Sequence, residues 1–144
     1  MWFKMGNIHF FSEDINFILK QKIRLRSWVE LVIKQNDKKL QLVNYIFTSD
    51  KYLLHINKEY LSHDTLTDII TFDQSSDSNL LEADIFISIE RIKENSKHLN
   101  TSFAEELHRV MIHGILHLLG FSDKGEPEKK EMRKKENHYL DLRF

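Results

Sequence analysis

Residues 102–123 read SFAEELHRVMIHGILHLLGFSD, and their spacing predicts both a helix and what it carries. Ser102-Phe-Ala-Glu105 has the capping-box pattern, in which the two side chains satisfy otherwise unpaired backbone donors at a helix start. Phe103, Leu107, Val110 and Met111 return at helical spacing and make an apolar face. Gly120 ends the helix, because glycine enters the left-handed conformation after a C-cap without a Cβ penalty. His113 and His117 stand four residues apart, so both imidazoles project from one face and can reach one ion. Beyond Gly120 the chain turns back, which lets Asp123 close a third side of the same site. The offsets match the zincin pattern H-E-x-x-H-x-x-G-x-x-H, with Asp123 in place of the third histidine and Gly114 in place of the catalytic glutamate.

A histidine pair at this spacing is ordinarily just two helix histidines. Here Val110, Met111, Ile112, Ile115, Leu116, Leu118 and Leu119 surround the pair, which predicts that both imidazoles are partly buried. Buried polar groups need partners, and a shared cation supplies one to each. With Gly120 and Asp123 added, a metal site is the better reading. Three ligands and an open fourth position are the arrangement of a catalytic zinc. Aspartate for histidine makes a bound water less acidic and widens the choice of metal towards harder ions.

Composition narrows the donor set. The 144 residues contain no cysteine, so disulfides, thiolate zinc sites and cysteine nucleophiles are excluded, and eight histidines remain to audit. His9, His55, His98, His108 and His138 show no partner pattern. A hydrophobic fraction of 41% with 30% charged residues describes one globular domain over 1–144, not a disordered chain. No apolar run approaches the roughly 20 residues of a transmembrane helix. The start, MWFKMGN, lacks a continuous apolar core, so a cytoplasmic protein without a membrane partner is expected. The formal charge of −1 conceals two basic segments. One runs from Lys20 through Lys22, Arg24 and Arg26 to Lys39; the other, Lys124 to Lys135, includes Lys129 and Lys130. Each reads as a solvated face or as a phosphate-binding stripe.

The remaining chain reads as a small mixed sheet of about four strands packed with about five helices, an α+β domain. Ile8, Phe10 and Phe11 predict a first strand. Ser12 is the expected N-cap of a helix over 13–36, with Glu13 and Asp14 in its first turn, although two helices fit this stretch equally well. Residues 40–47 predict a strand buried on both faces, and 51–61 a short helix. Strands are predicted over 66–72 and 83–88 with a polar loop over 73–79 between them. Helices are predicted over 89–99 and, opened by Pro127, 127–140.

These residues together resemble the YbeY family, metal-dependent endoribonucleases that act in ribosomal RNA maturation. The family motif H-G-x-L-H-L-x-G-Y-D-H appears as HGILHLLGFSD, in which Gly114 matches. The block N-x-x-Y-R…T-D-V-L-S-F resembles Asn57 to Leu61 followed by Thr67 to Phe72, and G-D-I-x-I-S resembles Ala83 to Ser88. The resemblance implies a single-strand-specific endoribonuclease of rRNA precursors, acting at the small-subunit 3′ end and in ribosome quality control. It also implies a zinc held by His113, His117 and Asp123, with the small ribosomal subunit as partner. The general base is not identified by it. Two positions depart from the family: its third histidine is Asp123 here, and its arginine falls on Leu61. Lys58 and His63 are weak substitutes for that arginine. Asp68 and Asp84 are read equally as catalytic groups and as hydrogen-bond partners of backbone or of a metal-bound histidine.

Three other readings compete. A zincin-type peptidase fits the spacing but lacks its glutamate at Gly114. Two histidines and a carboxylate also fit an iron oxygenase. A non-catalytic ribosome-assembly factor with a structural metal fits the loss of arginine at Leu61. RNA contact is expected at Lys20, Lys22, Arg24, Arg26, Lys129 and Lys130.

Overall fold

The computed structural model describes residues 7–62 and 67–144. Four strands and five helices follow in the order β1 (Ile8–Glu13), α1 (Lys22–Gln35), β2 (Lys39–Thr48), α2 (Asp50–Leu61), β3 (Ile69–Asp73), β4 (Leu80–Ser88), α3 (Ile89–Leu99), α4 (Phe103–Leu118) and α5 (Glu126–Asp141). The sheet order is β1-β2-β4-β3. β2 pairs in parallel with both β1 and β4, whereas β3 runs antiparallel to β4. This is the mixed α+β architecture expected from the residues.

Alternation along the strands divides the sheet into two faces. Val43, Tyr45 and Phe47 of β2 and Ile85 and Ile87 of β4 join Leu25, Trp28 and Val32 of α1 and Met111, Ile112 and Ile115 of α4 in the main core. On the opposite face Ile70, Phe72 and Phe86 pack against Leu53 and Ile56 of α2. Tyr45 is fully buried, and its hydroxyl donates to the carbonyl of Met111 at 2.9 Å, which ties the sheet to α4. Only the second half of β2 is buried on both faces; Lys39 to Leu42 remain partly open.

The long helix over 13–36 is corrected. β1 continues through Glu13, Asp14 turns the chain at φ 57°, and helix begins only at Lys22 after a left-handed Gln21. Ser12 caps nothing; its hydroxyl donates to the carbonyl of Phe17 at 2.7 Å. Packing holds the stretch between Asp14 and Gln21: Phe17 meets Phe47 and Phe103 edge-on at centroid distances of 5.2 and 6.0 Å. Ile23, which follows Ile15 and Leu19 at helical spacing, is 78% exposed. The third strand begins at Ile69 rather than Leu66, which lies outside the described residues. β4 starts three residues earlier than expected.

At α4 half of the capping box forms. Ser102 Oγ accepts from the Glu105 amide at 3.1 Å, while the Glu105 carboxylate takes the Thr101 hydroxyl instead of the Ser102 amide. The other end closes as a Schellman motif. Phe121 N donates to Leu116 O, Gly120 N donates to His117 O, and Gly120 sits at φ 105°. No helix among the described residues is long and apolar enough to cross a membrane.

Candidate active site

α4 crosses the sheet at β3 and β4, and the crossing is close because residue 114 is glycine. A Cβ there would stand 2.8 Å from Ile69 Cδ1 and 3.4 Å from Ile85 Cγ2. The position at which a zincin carries its glutamate is thus pressed against the sheet. Beside that contact the helix opens onto a cleft. His113, His117 and Asp123 line it together with Thr67, Asp68 and Thr71 from the β3 side. A wider neighbouring part, about 380 Å³, is bounded by Asp68, Glu106, His113, Asp123, Lys129 and Arg133, with Glu136 and Arg109 in its wall.

The three residues expected to form the site line one cleft. His113 Nε2 lies 3.5 Å from Asp123 Oδ2, and the loop that carries Asp123 is aimed by the Gly120 turn. His117 shares the cleft but is exposed, unlike the partly buried imidazole expected; it stands in the last turn of α4, at the cleft mouth. Among the described residues no three His, Asp or Glu side chains converge as a ready-made ion cage. The donor set itself, two imidazoles and a carboxylate on one cleft, fits a divalent cation of zinc-like or harder character.

A residue the sequence reading did not single out organises the centre. Glu136 of α5 places Oε2 2.8 Å from His113 Nδ1, and its Oε1 accepts from Arg109 Nη1 at 3.0 Å. The hydrogen bond to Glu136 raises the pKa of His113 against the opposing effect of burial, and Asp123 and Asp68 add to the rise. Burial alone would lift the Glu136 carboxyl, but its bonds to His113 and Arg109 hold it below the usual carboxylate range. Asp68 and Glu106 are pushed up, first by burial and then by neighbouring carboxylates. Three carboxylates, Glu136, Asp123 and Asp68, act on this one imidazole and make a field that favours a cation.

The other candidates disperse. Asp68 lines the cleft and accepts from Asn95 Nδ2 at 3.4 Å, whereas Asp84 accepts from Asn44 Nδ2 at 3.0 Å and borders neither part of the cleft. Leu61 is an exposed residue at the end of α2, and His63 lies outside the described residues. Of the six basic residues expected to meet RNA, Lys129 borders the cleft, and Lys130 is exposed beside it on α5. Lys20, Lys22, Arg24 and Arg26 border neither part of it. Arg26 donates to the carbonyl of Ile8 and covers Phe10, and Arg24 covers Phe144, so both serve packing. Arg133 was counted only within a basic segment, yet it reaches the cleft beside Lys129.

Comparison with known proteins adds the family. The family model described as Endoribonuclease YbeY matches residues 8–142. A protein of Cytophaga hutchinsonii named Endoribonuclease YbeY is 46% identical over 140 residues, 97% of this chain and 98% of the relative. Its namesake in Christiangramia forsetii is 49% identical over 137 residues, 95% of this chain and 94% of the relative. The solution structure of TM1509 from Thermotoga maritima superposes with a TM-score of 0.65 at 27% identity, covering 93% of this chain and 87% of that one.

Proposed function

Because the chain belongs to the Endoribonuclease YbeY family, we propose that its cleft hydrolyses phosphodiester bonds of single-stranded ribosomal RNA precursors with a divalent cation, zinc in the first instance, held by His113, His117 and Asp123. The observation that carries this reading is the meeting of His113, His117 and Asp123 on one cleft whose walls also carry Lys129 and Arg133. When bound, the cation would polarise a phosphoryl oxygen and make water available as a nucleophile near neutral pH.

The chain's own residues divide the remaining work. His113 and His117 offer imidazole nitrogens from a rigid helix, and Asp123 offers an oxygen from the loop after Gly120. Lys129 and Arg133 border the cleft where RNA phosphates would pass; the exposed cations of α1 extend the basic surface elsewhere. Asp68, half-buried beside β3 with its carboxyl pushed up by desolvation, lines the cleft and could hold or pass a proton there. The peptidase reading is disfavoured, since the glutamate that class requires has no room at Gly114. A purely structural metal is disfavoured by the open cleft and by relatives named as endoribonucleases.

The test is cleavage of a small-subunit rRNA precursor by the wild type and by His117→Ala, with bound metal measured in both. Loss of metal and cleavage together is expected. Full cleavage by the variant at zero metal occupancy would overturn the proposal.

A further inference from the structure

His113 is gripped from behind. A carboxylate only accepts hydrogen bonds once ionised, so the 2.8 Å contact between Glu136 Oε2 and His113 Nδ1 requires the proton to sit on Nδ1. The second oxygen of Glu136 is taken by Arg109, and Arg109 is braced in turn by Asn137 Oδ1 at 2.9 Å. The side chains of Glu136 and Arg109 are 8% and 17% exposed, so the pair is withdrawn from water while His113 Nε2 faces Asp123 across the cleft.

Resting on the metal reading above, we propose that Glu136 is the positioning residue of this site: it holds His113 as the Nδ1–H tautomer, presents Nε2 as the donor atom, and is kept out of the cleft by Arg109. An imidazole that donates to a carboxylate through one nitrogen is a better donor at the other. For Glu136 to swing round and bind an ion itself, it would have to leave the partly buried Arg109 without its ion-pair partner, a costly arrangement. The two histidines are therefore not equivalent. Among the described residues no side chain bonds His117, which is exposed and free to adjust, whereas His113 is preset. Helix α5, which carries none of the three ligands, thus governs the first of them.

The experiment uses the full chain, E136Q and E136D. Metal-free samples at about pH 8.5, above the ordinary histidine range, are examined by nitrogen-15 imidazole NMR, and each protein is then titrated with Zn²⁺ and with Co²⁺. In the wild type His113 is expected to carry its proton on Nδ1. In E136Q the Nε2–H form should gain population, and affinity for both metals should fall by about 10- to 100-fold, with E136D recovering part of the loss. Affinity of E136Q within about twofold of wild type, well inside that range, overturns the proposal. So does a wild-type His113 protonated on Nε2. If E136Q fails to fold, R109M/E136Q, which removes both charges, is measured for the same tautomer change. A wild type that binds neither metal refutes the metal reading, and the NMR arm still decides the role of Glu136.

Discussion

Replacing Gly114 by alanine tests the contact that seats the site helix on the sheet. The new Cβ would meet Ile69 Cδ1 at 2.8 Å, and this gap must open by about 0.6 Å to reach the 3.4 Å at which ordinary contact begins. Ile85 Cγ2 and Thr71 Cγ2, at 3.4 and 3.5 Å, need not move. Alanine gains about 1 kcal/mol over glycine in a helix interior, while an added methyl in a packed interior costs about 1–3 kcal/mol. The obstructing atom is the free end of a half-buried side chain, which places the cost in the lower half of that range. G114A should therefore lose up to about 1 kcal/mol net. I69V deletes the obstructing atom and alone costs about 0.5–1.5 kcal/mol. If the clash limits G114A, the double variant should be more stable than the sum of the singles by roughly 1 kcal/mol, because contacting residues couple. Urea unfolding followed by far-ultraviolet circular dichroism, at unchanged m, measures all four proteins. Additivity within about 0.5 kcal/mol, the behaviour of independent sites, would refute the claim that Ile69 sets the helix-to-sheet distance.

Further expectations concern the turn, the cleft rim and the buried histidine. Gly120→Ala meets no atom within 4 Å, so its cost of about 1–2 kcal/mol is purely the backbone strain of a φ of 105°. Because the turn aims Asp123, divalent-metal affinity should fall in the same variant, as calorimetry would show. K129Q/R133Q should lower the slope of log affinity for single-stranded RNA against log salt by about 1–2; an unchanged slope would exclude these two from phosphate contact. His108 is buried and takes Arg143 Nη1 on its Nδ1 at 2.7 Å, and burial, then Arg143, depress its pKa from 6.5 to about 4. Its contribution to stability is complete above pH 6.5 and is lost as pH falls towards 4, because the unfolded chain takes up the proton first. At about 1.4 kcal/mol per unit the loss reaches roughly 3 kcal/mol. The unfolding free energy of His108→Gln should accordingly fall less between pH 7 and 4.5 than that of the wild type.

The candidate site was legible wherever it is local in sequence. His113, His117 and Gly120 obey helical geometry and the glycine stop, and Asp123 follows within three residues, so spacing alone brings them together. Glu136 was not read, because its partner His113 is 23 residues away and the intervening turn is set by packing. A signal existed: Met132, Glu136, Tyr139 and Leu140 are the buried residues of α5 and fall on one helical face. An acid on an apolar stripe asks for a partner. The misread helix over 13–36 failed for the opposite reason. Ile15, Leu19 and Ile23 have helical spacing, but Asp14 and Gln21 take left-handed backbone, and the aromatic packing of Phe17 wins over periodicity. Basic residues were visible as charge, yet which of them reach the cleft depends on how α5 docks.

The brace between α4 and α5 has a thermodynamic corollary. Trp28 Nε1 donates to Tyr139 O and Arg109 pairs with Glu136, so the last helix is docked by bonds to two distant parts of the chain. Docking of α5 and occupancy of the cleft beside His113 are then linked equilibria. Whatever factor docking adds to the affinity of an occupant, the occupant returns to the docked state of the helix. Hydrogen exchange of α5 amides, in a helix that carries none of His113, His117 and Asp123, therefore reports on the occupancy of the cleft.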